Sequence, residues 1–204
     1  MSYTIRLAQA RHITQIAEIT NLEASRSVAT VASSHEPIDR WLTQYQQSHH
    51  LTPWLVAIES PSEFQSSTGE DRDQVIGYAK ASPYNVRDGF TWSVALSIYI
   101  AESHKRMGVG EALYKILFEL LIRQGYLNVY ARIALPNPGS QRLHERYGLQ
   151  QTGVLPQFAW KFGAWHDMAI YTGALQEKPD GTPRPLRRVE EIWPQLSLEW
   201  GLDL

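Results

Sequence analysis

The chain has 204 residues, 43% of them hydrophobic, a formal charge of -2 and no cysteine. That length and composition suffice for a sizeable core in one domain, and they exclude disulfides, thiolate metal sites and a cysteinyl acyl-enzyme. The balanced charge and the lack of a membrane-length apolar run argue against nucleic-acid and membrane partners, and MSYTIRLAQARH has no signal-peptide core, so a cytoplasmic protein is expected.

From the N-terminus, Tyr3–Leu7 reads as a short strand, and Ile13, Ile16, Ala17 and Ile19 recur at helical spacing. The stretch SRSVATVASSHEP is poor in helix formers and reads as a loop. A second helix is expected from near Pro37, carrying Ile38, Trp41, Leu42 and Tyr45. WLVAIE is then a buried strand, and residues 60–74 have the composition of a surface loop. VIGYAKA resumes the sheet, PYNVRDG turns, and FTWSVALSIYI makes a longer strand.

That strand feeds HKRMGVGEALYKILFELL, where Leu113, Ile116, Leu117, Leu120 and Leu121 line one face of a long helix and Glu111 and Lys115 are spaced as an exposed pair. VYARI is a further strand. LPNPGSQRLHERYGL gives a loop and a short helix closed by Gly148, and two strands follow around Gln150–Phe158 and Trp165–Ala174. The whole is an α/β (α+β) domain over residues 1–175, a mixed central sheet with helices on both faces in the order β-α-α-β-β-β-α-β-α-β-β. Residues 176–204, rich in proline and charge, form a C-terminal extension expected to wrap the surface or reach a partner subunit.

The start of the long helix carries the chemistry. Backbone N–H groups there lack intrahelical acceptors and the macrodipole is positive, so a strand, a Gly-rich turn and a helix together make an anion site. Gly108 and Gly110 allow close approach to a ligand, and Lys105 and Arg106 flank them. The pattern fits neither G-x-x-x-x-G-K-[ST] nor G-x-G-x-x-G. From spacing alone, a glycine-dependent turn and a phosphate site are equally good readings, and the cations favour phosphate.

The form [Gln/Arg]-x-x-Gly-x-[Gly/Ala] after a strand resembles the pyrophosphate loop of the GNAT superfamily of N-acetyltransferases, with Lys105 at the first position. PWLVAIE, VIGYAKASPYNVR, WSVALSIYI, HKRMGVGEALY, LPNPGSQRLHERYGL and KFGAWHD resemble, more narrowly, the phosphinothricin acetyltransferases. The resemblance implies acetyl-CoA as cosubstrate without a metal. It implies backbone contacts from Ile98, Tyr99 and Ile100 to the pantetheine arm, and Arg106, Met107, Gly108, Val109, Gly110 and Glu111 around the pyrophosphate. Asn137 would meet the cofactor beyond the next strand. Backbone N–H at Tyr99 would polarise the thioester, and His144 would protonate the departing thiolate. Arg87 and Tyr84 are expected on the acceptor side.

Two departures fall on the acceptor half. The family's T-V-E is Ser93-Val94-Ala95 here, so its glutamate becomes an alanine, and N-F-R-T-E-P becomes Ala32-Ser33-Ser34-His35-Glu36-Pro37. The expectation is an acetyl-CoA-dependent N-acetyltransferase acting on a primary amine of a small, amino-acid-like molecule, as a homodimer. Protein N-termini or polyamines are the alternative acceptors, and a non-catalytic acetyl-CoA sensor is the alternative class. His49-His50 and His166-Asp167 show no metal-ligand spacing, and His35-Glu36 is a candidate replacement base.

Overall fold

The computed structural model describes residues 2–32, 35–60 and 73–202. Most of the loop expected at 60–74, and Ser33 and Ser34, lie outside the described residues. Seven strands form one sheet: β1 (Tyr3–Leu7), β2 (Trp54–Glu59), β3 (Gln74–Pro83), β4 (Ser93–Ile100), β5 (Asn128–Ala134), β6 (Gln150–Lys161) and β7 (Ala164–Ala174), in the spatial order β1-β2-β3-β4-β5-β7-β6. All neighbours are antiparallel except β4 and β5.

That exception shapes the molecule. The parallel ladder has three pairs, Ser93↔Asn128, Val94↔Val129 and Ala95↔Tyr130, while β4 runs on to Ile100 and β5 to Ala134. Beyond Ala95 and Tyr130 the two strands part, so the β5-facing edge of β4 is not taken up by strand pairing. A parallel pair needs a crossover, supplied here by helix α3 (Val109–Gln124). The wedge therefore opens at the carboxyl ends of two parallel strands, each followed by a helix N-terminus.

Helices cover both faces, as the sequence predicts. Alternation along the strands sends Leu55, Ala57, Ala79, Ala81, Val94 and Leu96 to one core, with the α3 stripe Leu113, Ile116, Leu117, Leu120 and Leu121 packed against them. Each leucine so buried stabilises the fold by about 1.5–3 kcal/mol. Trp54, Val56 and Tyr78 face the other way, under α1 (Ile13–Arg26) and α2 (Ile38–Ser48) through Ile13, Ile16, Ala17, Trp41 and Tyr45.

Two local expectations are corrected. Glu111 pairs with Arg146 across to helix α4 (Pro138–Arg146) instead of with Lys115, whose ammonium lies 4.9 Å over the Trp200 ring. Within 176–204 there is a helix, α5 (Val189–Trp200), which places Val189, Ile192, Trp193 and Leu196 in the α3-side core.

Candidate active site

Two clefts meet at the wedge. The first, of about 610 Å³, is lined by Ile98, Tyr99 and Ile100 of β4, by His104, Lys105, Arg106, Gly108 and Gly110 of the turn, by Asn137 and by the α4 residues Ser140, Arg142 and His144. Its floor at the α3 N-terminus depends on glycine at one of the two positions. Gly108 has φ +82°, which strains any side chain, whereas a Cβ on Gly110 would sit an ordinary 3.6 Å from Ile98 and Leu143. Gly108 makes the turn, and Gly110 has room for a methyl group.

The cations at this turn divide. Lys105 binds Glu23 at 3.0 Å and Glu102 at 2.7 Å, so its charge is spent inside the protein. Arg106 and Arg142 have no carboxylate partner among the described residues and both line the cleft. Val109 is buried in the core and Met107 is exposed on the turn, and neither lines the cleft. Asn137 caps α4, its Oδ1 accepting from the Ser140 N–H at 3.1 Å.

His144 lies at the base of this cleft, 3% exposed. Its Nδ1 is 2.7 Å from the Ser140 carbonyl, which only accepts, so Nδ1 carries the proton; Nε2 then accepts from the Tyr114 hydroxyl at 3.0 Å. Burial lowers the imidazole's pKa against the weaker opposing effect of that carbonyl, and burial raises the Tyr114 phenol well out of range. The resting ring is neutral at pH 7.

The second cleft, of about 990 Å³, lies under α2 on the sheet's other face. It shares Ala29, Leu96, Ser97, Tyr99 and Arg132 with the first, so the two are continuous around Tyr99. Ala95 lines it where the family glutamate is missing. Tyr84 lines it too, while Arg87 sits at the start of an exposed turn and lines neither cleft. Glu36 lines it with its carboxylate 3.3 Å from Arg40, and His35 is exposed in the preceding loop.

Three side chains at these clefts escape the sequence reading, Arg132, Arg142 and Lys80, as does Tyr114, which lies buried behind His144 and lines neither cleft. Lys80 is 6% exposed and lines the second cleft, opposite Ser97 in the β3–β4 ladder. Its Nζ donates to Gln44 Oε1 at 2.7 Å and lies 4.0 Å and 4.7 Å from the Trp54 and Trp41 ring centroids. Burial pulls its pKa down to about 7, Glu36 opposing weakly. A lone lysine inside the apolar run VIGYAKA is the signal that marks it. Among the described residues, His49, His50 and Glu190 form the one cluster with metal-type donors, where α2 ends and α5 begins, away from both clefts.

Residues 4–170 match the acetyltransferase (GNAT) domain family. A phosphinothricin N-acetyltransferase of Streptomyces viridochromogenes is 31% identical over 92% of this chain and 95% of its own. An L-methionine sulfoximine/L-methionine sulfone acetyltransferase of Salmonella typhimurium is 30% identical over 85% and 95%. The crystal structure of a GNAT superfamily phosphinothricin acetyltransferase from Sinorhizobium meliloti in complex with acetyl-CoA superposes with a TM-score of 0.77 at 27% identity, covering 90% of this chain and 94% of that one.

Proposed function

The chain belongs to the GNAT acetyltransferase family, in the branch of the phosphinothricin N-acetyltransferases, and on that premise we propose that it moves the acetyl group of acetyl-CoA to the primary amine of a small, amino-acid-like molecule. The observation that carries this reading is the continuity of the two clefts around Tyr99, one ending at a helix N-terminus beside Arg106 and Arg142, unpaired among the described residues, and the other ending on the opposite face of the sheet. The named relatives that act on phosphinothricin and methionine sulfoximine support an acceptor bearing both an amine and acidic oxygens.

In this reading the pyrophosphate rests on the backbone from Gly108 to Glu111, with Arg106 and Arg142 beside it. The pantetheine arm runs along Ile98–Ile100, whose β5-facing backbone groups are free to pair with its amides. The thioester reaches the junction, where backbone N–H polarises the carbonyl as the amine attacks. Arg132, shared by both clefts and without a carboxylate partner among the described residues, holds an acceptor carboxylate. Tyr84 shapes the acceptor cleft, and Arg87 stands at its rim beside Asn85.

His144 enters as a relay. Its neutral ring takes the second proton of the attacking nitrogen at Nε2, displacing the Tyr114 hydrogen bond, and passes it to the departing sulfur. A homodimer completes the proposal, supported by Phe158, Trp160, Phe162 and Trp165, each more than half exposed on the β6–β7 hairpin. Incubation with acetyl-CoA and a panel of amino acids, read by mass spectrometry for the N-acetyl product, tests the reading; no product from any amine would refute it.

A further inference from the structure

The missing glutamate leaves a chemical gap. At neutral pH an amino acid arrives as an ammonium ion, which has no lone pair to attack with, and Ala95 cannot remove its proton. The group that fills the gap must reach the acceptor cleft, hold a free lone pair at neutral pH and tolerate the charge it acquires.

Lys80 meets each requirement. It stands on β3 opposite Ser97, while Ala95 stands opposite Ser82 one step along the same face of the ladder. Directly opposed residues are about 5 Å apart and diagonal ones about 7–8 Å, within reach of a long side chain, so Nζ, which leans towards Trp54 on β2 in the structure, reaches the emptied position by swinging across the ladder. Nζ has one hydrogen-bond partner among the described residues, Gln44, to which it donates. In the neutral amine that arrangement leaves the lone pair free for a substrate N–H. Once protonated, the ammonium lies against the faces of Trp41 and Trp54, which stabilise a cation.

The surrounding charges leave this amine uncommitted. From the loop before α2 comes Glu36, which Arg40 already engages, and from α2 itself Asp39. The sheet contributes the phenols of Tyr78, Tyr99, Tyr84 and Tyr130, and β5 adds Arg132. No carboxylate lies within ion-pair distance of Nζ among the described residues, so neither a fixed counter-ion nor a salt bridge holds Lys80 protonated.

We infer that Lys80 is the base of the acceptor cleft, replacing from β3 the carboxylate that β4 has lost. The inference rests on the acetyl-transfer reading above. Neutral Nζ takes one proton from the substrate ammonium and becomes an ammonium itself. The freed amine attacks the thioester carbonyl, the C–N bond forms, and the C–S bond breaks. The nitrogen's second proton goes to the sulfur, giving amide and thiol, and Lys80 returns its proton to solvent. A base with a pKa near the working pH is well matched to this task, and the burial that brings Lys80 to about 7 supplies that match.

The test compares Lys80→Met and Lys80→Arg with the wild type in kcat/KM against pH, with folding and acetyl-CoA affinity checked by circular dichroism and calorimetry. Arginine keeps a positive charge but stays protonated, so it separates a base from a charge that merely binds a carboxylate. Both variants should lose about 10²–10⁴-fold at pH ~8 and lose the rise near pH ~7. Activity in Lys80→Arg within a few-fold of wild type would overturn the assignment. Should either variant misfold, the wild type alone decides it, with acceptors of pKa ~7.7 and ~10.4. A shared inflection near 7 supports Lys80; an inflection that follows the acceptor's own pKa overturns it. A wild type that forms no amide removes the transfer reading as well, whereas an active wild type whose profile Lys80→Met retains removes the base alone.

Discussion

Ala95 on β4 and Tyr130 on β5 form the last pair of the one parallel ladder among the described residues. One residue later the strands separate, and both clefts open on that point. The place where the sheet stops pairing is thus also the place where the family's glutamate would stand. In the proposed reading β4 divides the cofactor cleft from the acceptor cleft, so substitutions on the two sides of that strand should separate kinetically.

On the cofactor side, Gly110→Ala should be tolerated, because its Cβ makes ordinary contacts with Ile98 and Leu143. Gly110→Glu adds bulk and negative charge at the anion site. Calorimetric titration with acetyl-CoA should show a loss of at least about tenfold, roughly 1.4 kcal/mol, for the glutamate with the fold intact.

At His144, replacement by Phe roughly keeps ring volume but leaves the buried Tyr114 hydroxyl without its acceptor. The cost of that orphan is about 1–3 kcal/mol in stability. Tyr114→Phe/His144→Phe should recover much of this loss in denaturant unfolding while turnover stays down by about 10²-fold or more. Turnover restored with stability would show that His144 serves only the fold. Because burial holds the wild-type ring neutral, its activity should not decline through pH 6–8, as it would if a resting imidazolium were the acid.

The buried Lys80 also makes stability depend on pH. Its pKa in the folded state, about 7, lies below the ~10.4 of an unfolded lysine, so between these values the unfolded chain binds more protons and stability rises with pH. Lys80→Met removes the penalty of protonating this group. Its gain over wild type in urea unfolding should therefore be largest below pH ~7 and fade towards pH ~10.

Helix α5 should be integral to folding. Trp193 is 4% exposed in the α3-side core, and Trp193→Ala should cost about 3–5 kcal/mol, measured as a lowered urea midpoint at unchanged slope.

That last helix shows where the sequence stopped being legible. Val189, Ile192, Trp193 and Leu196 have helical spacing, but the run RPLRR ahead of them and Pro194 among them argue for an irregular segment. Burial of Ile192, Trp193 and Leu196 against α3 outweighs the proline, while Glu191 caps the Arg188 N–H at 3.3 Å. The remaining strands and helices were readable because each has one dominant period, as in the α3 stripe. The turn ahead of α3 was readable too, since glycines before a helix have a local cause. What the spacing did not reveal is partnership across the sheet. Glu102, three residues before Lys105, is a local partner that the sequence displays, but nothing there says that Glu23 of α1 also takes its charge, nor does VIGYAKA say that Lys80 stands against Trp41, Trp54 and Gln44. Those longer-range contacts depend on strand order and on the packing of α1 and α2, which one-dimensional patterns do not contain.

The central claim, acetyl transfer to an amino-acid-like amine, is tested most directly by measuring product and thiol together for matched acceptors: an amino acid, its decarboxylated amine, a polyamine and a short peptide with a free N-terminus. The account predicts one N-acetyl product per thiol released, with kcat/KM highest for the acceptor that keeps its carboxylate and that preference falling in Arg132→Ala. Acetyl-CoA that binds without forming amide on any of the four, or a polyamine or peptide preferred over the amino acid, would contradict it.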